Sequence, residues 1–153
     1  IVYRPYEYVA DSLLRRKLDH PKRQKRWLYK LRFHNLDTHV AQFIQIWGRY
    51  NRDLLAAAER ASEKTLVVRV DDLAAHSSKI IFHMKTAWGF TLDDQKMDKI
   101  FEKKRLAQKT KYVNLQTPQV AIAAKAADEI YIALEQWRER TLVRLMNQTH
   151  IDD

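Results

Sequence analysis

Ile1-Val2-Tyr3-Arg4-Pro5-Tyr6-Glu7-Tyr8-Val9-Ala10-Asp11-Ser12-Leu13-Leu14 sets the reading of everything that follows it. Its β-branched and aromatic start predicts a strand. Pro5 fixes a turn and cannot continue a ladder. The residues after it predict a helix with Ser12 in its early turns. Arg4 then stands at the strand's end and Ser12 eight residues later. If the helix folds back beside the strand, a guanidinium and a hydroxyl can converge on one anion. The guanidinium offers a planar fork of donors suited to phosphate, and the hydroxyl adds another. The run starts mid-strand, with no Met and no polar lead-in, so the expectation is a chain that begins inside a larger protein.

Working outward, a helix is predicted from about residue 7 to 18 and ends at His20-Pro21, because the residue before proline is pushed out of the helical region. Residues 22–34 mix bases with Trp27, Leu28, Tyr29, Leu31 and Phe33 without a clean period. From Asp37 to about Ser62 a helix is expected. Val40, Phe43, Ile44, Trp47, Asn51, Leu54, Leu55 and Ala58 recur at three- and four-residue steps, and Asp37 or Thr38 can cap its start. Thr65-Leu66-Val67-Val68-Arg69-Val70 reads as a buried strand. Asp71-Asp72 can cap a helix reaching about Thr86, and Gly89 in Trp88-Gly89-Phe90 can take the left-handed closing conformation. Another helix is expected from Asp93 to about Leu106, then loop to Thr117. Pro118 opens a long final helix striped by Val120, Ala123, Ala127, Ile130, Leu134 and Trp137. Strand, helix, helix, strand and further helices suit a helix-rich α/β unit with a short parallel sheet.

Composition agrees. A chain of 153 residues has the size of one domain, or of a fragment of one, and its 46% apolar content is too high for a disordered segment. Two Gly and three Pro are too few for a turn-rich β fold. With no Cys, disulfides, thiolate catalysis and thiolate zinc sites are excluded, which is compatible with a reducing, cytoplasmic setting. No apolar run approaches the length of a membrane span.

The net charge of +9 is unevenly placed. Between Arg15 and Arg32 nine bases face one acid, Asp19, and Lys103-Lys104-Arg105 with Lys109 and Lys111 form a second block. Such clusters imply an anionic partner, whether nucleic acid, a phosphorylated cofactor, an acidic glycan or a membrane surface. The first block reads equally well as a solvated basic face. Its aromatics could stack on sugar faces, or on the bases of a single-stranded nucleic acid.

Taken together, the motifs resemble the sulfotransferase family. Arg4 and Ser12, across a strand, turn and helix, are similar to the family's motif for the 3′-phosphate of 3′-phosphoadenosine 5′-phosphosulfate. Trp47-Gly48-Arg49-Tyr50-Asn51 resembles its Trp-x-x-Tyr/His-Asn helix, and Val67-Val68-Arg69-Val70-Asp71-Asp72-Leu73 its strand-and-cap segment. Ile80, Ile81 and Met84 with Trp88-Gly89-Phe90 resemble the helix end that follows. The resemblance covers residues 1–90 and departs from the pattern at Pro5, one residue early, and at Val70, where Tyr is usual. It implies the C-terminal half of a P-loop-like sulfotransferase fold. That half would hold the nucleotide donor and shape the cleft for a hydroxyl or amine acceptor, an anionic glycan included. The 5′-phosphosulfate loop and the catalytic base precede the Arg…Ser motif in that family, and no Gly-rich phosphate loop occurs here. By the same resemblance Lys103, Lys104 and Arg105 fall near a basic loop that reaches the 3′-phosphate. They also read as a helix end whose cations complement its dipole. Lys22, Arg23, Lys25 and Arg26 fall in the region that borders the acceptor.

Other constellations read as structure. The histidines lack metal-ligand spacing, so no metal is expected. Asp71 and Asp72 suit capping better than acid/base work, and Asn51 a buried hydrogen bond. Trp47, Trp88 and Trp137 read as core anchors. The alternative to a transferase is a non-enzymatic, basic helical module that binds nucleic acid or another polyanion.

Overall fold

The computed structural model describes residues 1–19, 35–92 and 110–147. Strand β1 (Val2–Tyr3) leads into helix α1 (Tyr6–Leu18), followed by α2 (Leu36–Arg60), a 3₁₀ turn (Ser62–Lys64) and strand β2 (Val68–Arg69). Helices α3 (Val70–Ala75), α4 (Ser77–Trp88) and α5 (Pro118–Asn147) complete the described elements. The strands pair in parallel, Val2 with Val68 and Tyr3 with Arg69. The expected α/β arrangement is therefore present in its coarse form, a helix-rich chain with a two-stranded parallel sheet. The chain divides into two compact units. The first holds described residues 1–3, 56–92 and 133–147, and the second 4–19, 35–55 and 110–132.

In the first unit the β-branched run makes the sheet and its floor. Leu66, Val68, Ile80 and Leu145 form a buried cluster, with Leu73, Met84, Trp88 and Leu142 packed on it. Thr141 on α5 answers the buried amide of Val67, whose N–H donates to its hydroxyl at 3.0 Å. A buried amide without a partner would carry its full desolvation cost.

In the second unit the α2 stripe is buried as its spacing requires, at Val40, Ile44, Trp47 and Leu55. Val120, Ala123, Ala127 and Ile130 on α5 are buried likewise. Gly48 on α2 faces Ile130 on α5, where a Cβ would stand 3.4 Å from Ile130 Cδ1, at the edge of ordinary contact. Tyr6 meets Trp47 and Tyr131 ring edge to ring face, with centroids 5.6 Å apart for Tyr6–Trp47 and 6.3 Å for Tyr6–Tyr131. The Tyr6 hydroxyl donates to Asp128 at 2.6 Å. Burial and that carboxylate together push the phenol well above its ordinary pKa.

Several boundaries differ from the sequence reading. The strand expected over 65–70 pairs only at Val68–Arg69, because β1 offers two residues of ladder. The helix expected through Thr86 breaks at His76, whose φ of −128° leaves the helical region; its N–H closes α3 on Asp72 O and its own carbonyl receives Ile80 N–H. The start of α2 is capped by Asn35 rather than Asp37 or Thr38, with Thr38 N–H donating to Asn35 Oδ1 at 3.2 Å. Trp88 and Trp137 are half-buried; Trp88 packs on the core cluster, whereas Trp137 lies under the Arg140 guanidinium at 5.0 Å. The expected helix over 93–106 and residues 22–34 lie outside the described residues.

Candidate functional site

Arg4 follows β1 directly, and Pro5, with φ −52° and ψ 140°, turns the chain so that α1 begins at Tyr6. Trp47 Nε1 donates to the Arg4 carbonyl at 2.9 Å, and Asn51 Nδ2 donates to the Trp47 carbonyl at 2.8 Å. Asn51 is therefore a buried hydrogen-bonding residue, as its place on the stripe implied. One member of the Trp-x-x-Tyr-Asn segment, Trp47, thus holds the backbone of the residue that carries the guanidinium. Arg4 and Ser12 are both half-buried. Ser12 stands six residues beyond the start of α1, an axial rise of about 9 Å. Pro5, at the N-terminal boundary of α1, supplies no side-chain cap. Glu7 in the first turn has its carboxyl pushed up from the usual range, first by burial and then by the Asp128 charge.

Farther along α1, Asp11 is buried, and Oδ1 accepts the backbone N–H groups of Lys111 and Tyr112 at 2.6 Å each. Its other oxygen pairs with Arg15, one turn on. Asp19 accepts from the Tyr112 hydroxyl and from Lys111 Nζ, and these two donors hold its carboxyl below the usual range. The chain is thereby fastened to the Ser12 helix at Lys111-Tyr112.

The first unit carries a separate ionic network where β2 passes into α3. Asp72 is buried, and the Arg138 guanidinium grips it with Nε at 2.6 Å and Nη2 at 2.7 Å. The Arg69 N–H donates to Asp72 Oδ2 at 2.7 Å, so Asp72 also caps α3. Burial works against the Asp72 charge, but hydrogen bonds from Arg138 and the Arg69 amide outweigh it and hold the carboxyl below its usual range. Arg69 reaches Asp71 at 3.1 Å and Glu135 at 3.6 Å, and Tyr3 donates to Glu135 at 2.7 Å. The network sets two guanidinium groups, Arg69 and Arg138, among three carboxylates, Asp71, Asp72 and Glu135, where β2 passes into α3.

Arg4 and Ser12 therefore sit on one strand–turn–helix segment, while Lys22, Arg23, Lys25, Arg26, Lys103, Lys104 and Arg105 lie outside the described residues. Sequence reading missed Arg138. Its only nearby signal was Glu135, three residues back, because its main partner is 66 residues away. Among the described residues no cluster of His, Asp and Glu could hold a metal ion, and no helix is long and apolar enough to cross a membrane. Compared with known proteins, the chain matches no family model, no curated protein and no solved structure.

Proposed function

We propose that this chain binds the 3′-phosphate of 3′-phosphoadenosine 5′-phosphosulfate through Arg4 and Ser12, as the donor-holding part of a sulfotransferase. The observation that carries the reading is the sequence of events after β1. A strand paired in parallel runs directly into Arg4, a proline turn and the helix bearing Ser12. Ligands of parallel sheets bind beyond the carboxyl ends of the strands, which is where Arg4 stands. The Trp47 hydrogen bond fixes the Arg4 backbone at that point, so less of the chain must be ordered on binding.

In this reading the sulfuryl group passes in line from the donor to an acceptor hydroxyl or amine. The bond from sulfur to the bridging oxygen of the 5′-phosphate breaks as the bond to the acceptor forms, and the acceptor's proton leaves to a base. Arg4 and Ser12 contribute by positioning the donor. By the resemblance, the phosphosulfate loop and the catalytic base would come from residues preceding the Arg4…Ser12 segment, and no Gly-rich phosphate loop occurs in this sequence. An acceptor that is itself anionic, such as an acidic glycan, fits the +9 charge.

Calorimetric titration with 3′-phosphoadenosine 5′-phosphate tests the reading. A hydrogen bond to a charged group contributes about 1.5–3 kcal/mol, so Arg4→Ala should weaken binding by about tenfold or more. Ser12→Ala should weaken it less, and Trp47→Phe, which releases the Arg4 carbonyl, several-fold without touching the ligand. Equal, weak and salt-sensitive binding by wild type and Arg4→Ala would overturn it in favour of a basic module that takes polyanions without a defined site.

A further inference from the structure

A cleft of about 810 Å³ opens within the first unit, a volume typical of small-molecule sites. Local geometry builds one wall of it. Gly89 closes α4 in the left-handed conformation, φ 70°, and Phe90 N–H then bonds back to Met84 O at 3.1 Å. That reversal stands the Phe90 ring edge-on to Trp88, with centroids 6.0 Å apart and planes at 87°. The buried His83 ring abuts Trp88 from another side at 5.4 Å. Trp88 is thus held between two rings, and half of Phe90's surface stays open to solvent.

Apart from Ala87, the remaining described lining is charged. Lys64 comes from the 3₁₀ turn and Arg144 from α5, whose guanidinium is tied to the Ser62 carbonyl at 3.4 Å. Among the described residues Glu63 is the one acid on the rim. Among the described residues neither Lys64 nor Arg144 shares an ion pair, so the cleft carries an excess of positive charge beside an open aromatic wall. A hydrocarbon ligand would satisfy the wall and waste the cations, and a bare inorganic anion would do the reverse.

We propose that this cleft binds a small, flat aromatic anion, its ring against Trp88 and Phe90 and its charge on Lys64 and Arg144. The site is independent of the donor reading, since it shares no residue with the Arg4–Ser12 segment. Ring-edge contacts with Trp88 and Phe90 orient the ligand, and the two cations choose it over its neutral analogue.

The test is calorimetric titration of the whole chain with 2-naphthalenesulfonate, with 2-naphthol and methanesulfonate as partial probes. The sulfonate should bind about tenfold more tightly than either partial probe. Lys64→Gln and Phe90→Ala change exposed groups, so circular dichroism should stay native while each weakens binding about fivefold or more. Arg4→Ala should bind the sulfonate as wild type does. Naphthol binding as tightly as the sulfonate would remove the role of the cations, and methanesulfonate doing so would remove that of the rings. Affinity unchanged in both Lys64→Gln and Phe90→Ala, or lost in Arg4→Ala, would place the probe elsewhere and overturn the assignment.

Discussion

Replacing Asp72 by Ala removes more than one carboxylate. The side chain is only 3% exposed and accepts two hydrogen bonds from Arg138 and one from the Arg69 amide. Breaking a buried ion pair costs about 3–5 kcal/mol, because the remaining charge is left unmatched. Arg138 keeps Glu135 at 3.1 Å and is 22% exposed, which places its share near the lower end, about 3 kcal/mol. Loss of the cap on α3 adds about 1 kcal/mol. Together, about 4 kcal/mol is a quarter or more of the stability of an ordinary domain. Urea unfolding followed by far-ultraviolet circular dichroism should show the midpoint falling by more than about 1 M. Asp72→Asn keeps the shape and an acceptor for Arg69, so it should lose less. The folded carboxyl is held below its usual value, so its contribution is complete above about pH 4 and fades as pH falls through the lower folded value. The gap between wild type and Asp72→Asn should therefore close in acid. A loss below about 1 kcal/mol for Asp72→Ala, or a gap that widens in acid, would refute the account of this network.

Asn51→Ala removes a buried donor to the Trp47 carbonyl and should cost about 1 kcal/mol, read as a fall in melting temperature of about 2–4 °C. Gly89→Ala should cost about 1 kcal/mol in urea unfolding. A Cβ there meets nothing within 4 Å, so the penalty is conformational, and a loss several times larger would mean that the side chain meets something. Asp11→Ala frees the amides of Lys111 and Tyr112, and limited digestion should then show faster tryptic cleavage after Lys111 than in wild type. Tyr6→Phe should lose about 1 kcal/mol with its bond to Asp128, and the tyrosine absorbance change up to about pH 10 should stay unchanged, since burial and Asp128 hold this phenol well above its ordinary value.

Elements whose chemistry is local were legible before any coordinates. The α2 stripe, the proline that opens α5 and the glycine that closes α4 each follow from spacing or backbone freedom, and each stands where the pattern put it. Asp72 was read correctly as a cap and incompletely as an ion-pair partner. Capping depends on Arg69, three residues away, whereas pairing depends on Arg138, which only the fold brings near. Trp137 was misjudged because an apolar stripe does not say where burial stops along a helix of 30 residues. The break at His76 had no glycine or proline to announce it, since it comes from a change of direction between two well-formed turns.

By itself the sequence determined the helical periods, the strand that precedes Arg4, the basic clusters and the candidate pair Arg4 and Ser12. All are properties of neighbours along the chain, where period and backbone restriction act. Tertiary structure decided that β1 and β2 pair in parallel, that Trp47 holds the Arg4 carbonyl and that Asp11 fastens Lys111-Tyr112 to α1. It also decided that a half-open aromatic wall faces Lys64 and Arg144. These contacts join residues tens of positions apart. Their energies come from desolvating matched groups together, which no local pattern encodes.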